Sequence, residues 1–366
     1  MWACALTLAA VPLPAPLHAQ GRLSARLAGL NPNLAGTLPD VWTDAWRSPA
    51  RVPTAGAAGA LAAYRRGGDE VPDLWEAGVA LTTGTGPGLA FLVRTAEDSA
   101  GAGLYGGSAA ATLGVGTMSV GARVDVIRDE TTPASSFTGI AFSGGLHTFA
   151  EFGSLEAWGE IQTPDTETGN VGYAIEVVLA SPDPNVSGER LEPVIAARLG
   201  RHDVERFNLT AGGPVTWYEV SLGLRRSWGA AGAFALALRR GEWKARSDCA
   251  EADSVCIAVV DPAIGTHAAY SLDVAAELAL SSSLRLRAGA AWALDGTASE
   301  YEDLWPAELR RVGALRPGTV RGAFFGLGLR PSAGLLLDVY GYPGFLDDHG
   351  AKRHLGVAGA QLSVRL

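Results

Sequence analysis

Charged residues that alternate with small or apolar ones are the feature of this sequence with the greatest chemical potential. Because they fall at every second place, their side chains share one face of an extended strand. Such a face can hold cross-strand ion pairs in a water-containing interior, or it can form a constriction that selects solutes by charge. The sequence leaves both alternatives open. The candidates for this face, which would line the lumen if the strands closed into a barrel, are Arg94, Arg123, Asp125, Glu156, Glu160, Glu176, Arg198, Glu219, Arg225, Arg239, Asp273, Glu277, Arg285, Arg287, Arg321 and Asp338.

Other groups with potential chemistry are few. Cys249 and Cys256 are close together in a long connection, and in an oxidising compartment such a pair predicts a disulfide rather than a metal site, which needs more ligands. The trio Asp347, Asp348 and His349 could bind a cation or activate water, but it is also typical of a solvated turn. No phosphate-binding glycine loop follows a strand. We therefore expect no enzymatic activity, no cofactor and no metal.

The elements that position these residues have the periodicity of strands. In one segment Tyr270, Leu272 and Val274 fall on one face, and Ser271 and Asp273 on the other. About sixteen segments of this kind can be placed. They cover 57–65, 75–84, 88–96, 103–113, 117–128, 138–149, 153–161, 171–180, 191–200, 215–227, 231–241, 267–280, 283–294, 318–329, 333–341 and 355–366.

The length of these segments distinguishes a membrane protein from a soluble sandwich. Soluble strands have about five or six residues, whereas a tilted strand that spans a bilayer needs roughly 9 to 11. Short and long connections alternate, as expected when turns on one side of a barrel are tight and loops on the other are extended. The connection 181–190 is long where a short one is expected, so fourteen strands remain an alternative. The prediction is an all-β fold, a transmembrane antiparallel up-and-down β-barrel over residues 57–366.

The first residues differ from the barrel segments. Leu6–Leu17 is an apolar run of export-signal length, and processing after Ala19 would make residues 1–19 a signal peptide. Residues 20–56 then contain a short amphipathic stretch. We expect this stretch to close the lumen as a plug or to lie at the periplasmic interface. Its candidate residues are Leu38, Trp42, Trp46, Arg47 and Pro49.

The run Arg47, Ser48, Pro49, Ala50 resembles the Arg-Asn-Pro-Ala turn in the N-terminal hatch of the long-chain fatty-acid transporter family of outer-membrane barrels. The resemblance covers four residues and the general layout, and Ser48 replaces the family's asparagine. It implies a hatch-bearing barrel, usually of fourteen strands, that admits hydrophobic molecules and releases them laterally. It carries over no ligand-contacting residue.

These patterns together predict a passive or gated conduit for small solutes or hydrophobic molecules. A structural or adhesive barrel without transport is the alternative, and an outer-membrane enzyme comes last. The expected location is the outer membrane of a Gram-negative cell, with both termini periplasmic. Expected partners are outer-membrane lipid, the transported solute and the outer-membrane assembly machinery. Nucleic acid is not expected, because the net charge is −9 and Lys244 and Lys352 are the only lysines.

Overall fold

Sixteen antiparallel strands close into one barrel, in which each strand pairs with its neighbours in sequence and β1 pairs with β16. The computed structural model describes residues 24–31, 34–52, 59–65, 73–82, 87–97, 103–129, 137–150, 153–163, 172–181, 191–202, 212–247, 265–294, 322–343 and 355–365. The strands are β1 Gly59–Arg65, β2 Asp73–Thr82, β3 Gly88–Glu97, β4 Gly103–Val115, β5 Met118–Asp129, β6 Phe137–Ala150, β7 Gly153–Thr163, β8 Gly172–Ala180, β9 Glu192–His202, β10 Gly212–Ser227, β11 Gly232–Ser247, β12 Gly265–Ala279, β13 Leu284–Ala293, β14 Gly322–Ser332, β15 Leu335–Pro343 and β16 Leu355–Arg365.

The strand count confirms the prediction of sixteen and excludes the alternative of fourteen. Closure is made by seven register partners between β1 and β16, from Gly59 opposite Arg365 to Arg65 opposite Gly359. This pairing leaves no edge strand, as the hydrocarbon region of a bilayer requires. The connection 181–191 is long although it joins β8 to β9 at the end where the other connections are short. Both strands are part of the barrel, so its length does not remove a strand.

Short connections lie at one end of the barrel, together with the start of β1 and the end of β16. We call this the turn end, and the opposite end the loop end. Gly116 and Gly229 adopt φ values of 61° and 60° in two of these turns, a left-handed conformation that glycine adopts without strain.

The two faces of the wall differ in polarity. Large apolar side chains are exposed on the outside throughout, including Leu222 on β10 at 56%. On the same strand Tyr218 lies toward the loop end, and Trp228, the residue that follows the strand, lies toward the turn end. The ten residue-to-residue steps from Tyr218 to Trp228 rise roughly 23 Å in a strand tilted by about 45°, close to the apolar band of a membrane barrel. The outer surface is therefore a lipid-facing belt with aromatic residues at its margins.

The segment before β1 lies inside the barrel. It consists of helix α1 (Ala25–Leu30), helix α2 (Val41–Arg47) and a 3-10 turn (Pro49–Arg51), and we call residues 24–31 and 34–52 the plug. No helix of the described residues is long and apolar enough to cross a membrane.

Candidate functional site

Helix α2 is positioned by its own sequence. The Asp40 carboxylate accepts a hydrogen bond from the backbone N–H of Thr43 at 2.8 Å, which caps the first turn. Pro49 then begins the 3-10 turn, because a proline has no N–H to continue the helix. One face of α2 is apolar: Trp46 packs with Leu61 and Leu92 on β1 and β3. The opposite face can therefore direct its charged side chains at the wall.

Two arginines of the plug meet one carboxylate of the wall. The Nη2 group of Arg47 donates hydrogen bonds to the two carboxylate oxygens of Glu156, each at 3.0 Å. Arg47 also contacts Glu176. Arg51 lies 2.9 Å from the same Glu156 carboxylate. All of these groups are buried or nearly so, which makes this the principal electrostatic anchor of the plug.

The first helix has a second anchor across the lumen. Arg26 contacts Glu277 of β12 at 3.0 Å and Asp40 of the plug at 3.4 Å. Asn31, at the end of α1, donates to Asp273 at 3.3 Å and to the backbone oxygen of Ala290 at 2.9 Å. The plug is thus attached to both sides of the wall.

Burial shapes the ionisation of the plug. Burial opposes the charge of Arg47, but Glu156 and Glu176 outweigh it and hold the pKa of Arg47 above its usual value. The same balance, with Glu277 as the main carboxylate, raises the pKa of Arg26. Burial also raises the pKa of the Asp44 carboxyl, and the nearby Arg51 and Arg47 compensate only in part. The arginines of the plug therefore stay charged.

A continuous series of ion pairs runs around the wall from β8 to β12. Arg198 lies between Glu176 and Glu219, at 3.4 and 3.5 Å. Arg239 then lies between Glu219 and Asp273, at 3.7 and 3.5 Å. Since Glu176 also contacts Arg47, the plug is part of this series.

Two smaller clusters of ion pairs lie elsewhere on the wall. Arg123 contacts Asp125 and Glu160 at 2.8 Å each, and it donates to the backbone oxygen of Trp46 in the plug. Arg287 contacts Glu277 at 2.7 Å and Asp338 at 2.5 Å.

The remaining candidates from the sequence are placed as follows. Arg94 pairs with Glu76 at 3.1 Å, and Arg225 pairs with Glu192 at 3.0 Å. Arg285, partly exposed, pairs with Glu277 at 2.8 Å. Arg321 lies outside the described residues, as do the signal peptide, Cys249, Cys256, Asp347, Asp348 and His349.

The predicted plug residues all lie in the lumen. Leu38 packs with Leu27 and Leu34 against alanines of β11 and β12. Trp42 and Trp46 face β1 to β4, and Pro49 lies against β4 to β6.

Sequence reasoning missed several residues of this interface. Arg26 and Arg51 were overlooked, although an arginine in a segment expected to enter the lumen implies a buried carboxylate partner. The glycines that receive the plug were overlooked too. A Cβ on Gly121 would collide with the backbone of Pro49, and one on Gly289 would collide with the carbonyl oxygen of Leu30. Alternating glycine on an inward face is the signal that could have found them.

Closure of the sheet, the apolar exterior and the charged interior together decide the type of protein. The chain is a transmembrane β-barrel of the outer-membrane type. No protein-family model matches its sequence, and no curated protein does so significantly.

Solved outer-membrane barrels are similar to this barrel. CdiB from Acinetobacter baumannii is 12% identical with a TM-score of 0.45, over 84% of this chain and 60% of that one. A Pseudomonas aeruginosa FadL homologue is 10% identical with a TM-score of 0.39, over 93% and 96%. The Ralstonia pickettii toluene transporter TbuX is 8% identical with a TM-score of 0.39, over 93% and 97%. This chain thus spans 60% of the length of CdiB.

Proposed function

We propose that this protein is a gated conduit across the outer membrane for small polar solutes, and that the plug is its gate. The observation that supports this most directly is the nature of the boundary between plug and wall. It combines ion pairs to Glu156, Glu176 and Glu277 with close backbone contact at glycines. A wall that carries charges on its inner face could be solvated by water once the plug moves.

The charged inner face favours hydrated solutes over hydrophobic molecules. An apolar molecule would remove water from these arginines and carboxylates without replacing the lost hydrogen bonds. Two buried polar atoms of the plug, Nε1 of Trp46 and Oγ of Ser48, have no hydrogen-bond partner among the described residues. Each such atom weakens docking, which suits a segment that leaves its site.

The orientation in the membrane is part of the proposal. Tight turns of outer-membrane barrels face the periplasm, so the turn end and the chain ends adjoining β1 and β16 would be periplasmic. The partners would be outer-membrane lipid on the belt, the outer-membrane assembly machinery during insertion, and the transported solute. We further propose that the protein catalyses no reaction.

A structural barrel without transport is the second candidate. Three aromatic side chains inside the wall, Trp158, Phe324 and Tyr340, are 3–5% exposed. Tyr340 also packs against Ala25 and Ala28 of α1. Side chains of this size can fill a lumen permanently.

Conductance in planar bilayers tests the conduit against the structural barrel. The full-length mature protein is compared with a variant that lacks residues 21–52, and the heat-dependent migration of both in gels checks that the barrel has folded. We expect a quiet full-length protein with rare openings and large, stable steps after deletion. A folded deletion variant that conducts no ions would overturn the conduit and favour the structural role.

A further inference from the structure

A cavity lies between the plug and the turn end of the barrel, where it opens to solution. Its volume is about 760 Å³. Its floor is formed by plug residues such as Arg26, Asp40 and Trp42, and its sides by strand ends and turns such as Ser227 and Gly334. This size is typical of sites for small molecules, which usually measure about 300–1,000 Å³.

The charges around this cavity are unequal in number. Among the described residues, seven arginines and four carboxylates line it. Two of these arginines, Arg51 and Arg225, pair with carboxylates outside the lining, which leaves five arginines against the four. The carboxylates belong to Asp40, Asp44, Glu277 and Asp338, and all are buried. Arg26 and Arg287 already contact three of them. The negative charge is therefore compensated within the protein.

The positive charge is instead exposed at the mouth. Arg330 and Arg365 are exposed, and Arg226 and Arg285 are partly exposed. Arg226 lies 5.6 Å from the ring centroid of Trp228. Within the described part of the chain, no carboxylate comes within ion-pair distance of Arg226 or Arg330. Both guanidinium groups are thus available to an anion that enters from solution.

We propose that this cavity binds a small organic anion bearing two or more carboxylate or phosphate groups. Guanidinium groups match both anions, because their planar N–H donors form paired hydrogen bonds with two oxygens. Hydroxyls of Ser227 and Ser363 and the partly buried ring of Trp42 provide the polar and apolar contacts for the rest of such a molecule. The site goes beyond the conduit function and needs no movement of the plug.

Calorimetric titration of the detergent-solubilised full-length protein tests this proposal. The probes are citrate and inorganic pyrophosphate, with sucrose as the uncharged comparison. We expect the two anions to bind and sucrose not to bind. The substitutions Arg226→Gln and Arg330→Gln should each weaken anion binding by about tenfold, because each removes one charged hydrogen bond to the anion.

Arg240→Gln is the matched control, because Arg240 is an exposed arginine on the outer face of β11 that does not line the cavity. Equal weakening by Arg240→Gln would show a general effect of net charge and overturn the site. Failure of both anions to bind the wild-type protein would also overturn it. If a ten-residue polyglutamate peptide binds far more tightly than either probe and depends on the same arginines, the occupant is an acidic protein segment and the small-molecule site is wrong. Since the titration needs no transport, its result is independent of the conductance experiment.

Discussion

Glu156 is the residue on which docking of the plug depends most. It receives Arg47 and Arg51, the two arginines at the end of α2 and in the 3-10 turn. A buried carboxylate that serves two cations contributes most when both are in place, and its loss leaves buried positive charge. If the plug is the gate, as proposed, opening should therefore respond to a change of a single side chain.

We predict that Glu156→Gln makes the plug leave more often. The ratio of open to closed time in bilayer recordings should rise by about tenfold, which corresponds to about 1.4 kcal/mol of docking free energy. Glu76→Gln is the control, because Glu76 is also buried but pairs with Arg94 of the adjacent strand, within the wall. Equal effects of the two substitutions would contradict an anchor at Glu156.

Gly289 provides a steric test of the same interface. A methyl group at this position would overlap the carbonyl oxygen of Leu30, a backbone atom that cannot rotate away. We predict that Gly289→Ala displaces α1 and raises hydrogen exchange in residues 25–30, measured by mass spectrometry. Gly144→Ala should leave exchange unchanged, because the added Cβ would meet no atom within 4 Å. Unchanged exchange in Gly289→Ala would mean that α1 does not dock closely on β13.

At the scale of elements, the plug is two short helices held by the wall. Helix α1 packs on β13 to β15, and the 3-10 turn packs on β4 to β6. Helices of six and seven residues are not stable alone in water, so their structure depends on these contacts. The plug should consequently move or unfold as a unit when its contacts are lost.

A crosslink between the plug and β6 tests whether this unit must move. The Oγ atom of Ser48 lies 3.1 Å from the position of a Cβ on Gly145, close enough for a disulfide after Ser48→Cys and Gly145→Cys. We predict that the oxidised double variant shows no openings and that reduction restores them. The two single variants are the controls. Openings that persist while the crosslink is intact would show that the 3-10 turn stays in place during conduction.

At the scale of the whole molecule, stability depends on the match between the belt and the bilayer. Leu222 is exposed to lipid between Tyr218 and Trp228, whereas Thr216 lies nearer the loop end on the same strand. Charge on the lipid face costs most at the middle of the membrane.

We predict that Leu222→Arg lowers the free energy of unfolding by about 2–4 kcal/mol and Thr216→Arg by about 0–1 kcal/mol. Guanidinium titration of the protein folded in lipid vesicles measures both values. Equal costs would show that the belt does not lie where the aromatic residues indicate.

The sequence by itself determined the wall of this protein. A strand in a bilayer must present apolar side chains on every second residue, so the alternation of Leu272 and Val274 with Ser271 and Asp273 is readable without a structure. The same rule predicted sixteen strands, nearly all within a few residues of their observed bounds. The four-residue resemblance to the fatty-acid transporter hatch implied fourteen strands, and the structure corrects this number.

Only the tertiary structure decided which charges meet. The pairing of Arg47 with Glu156 joins positions 109 residues apart, and it depends on strand register and on the path of the plug through the lumen. Neither leaves a periodic signal in the sequence. The cavity at the turn end has the same origin, because its arginines come from the plug and from the ends of β10, β13, β14 and β16. No local pattern in the sequence distinguishes these arginines, and it is barrel closure together with the position of the plug that brings them close to one another.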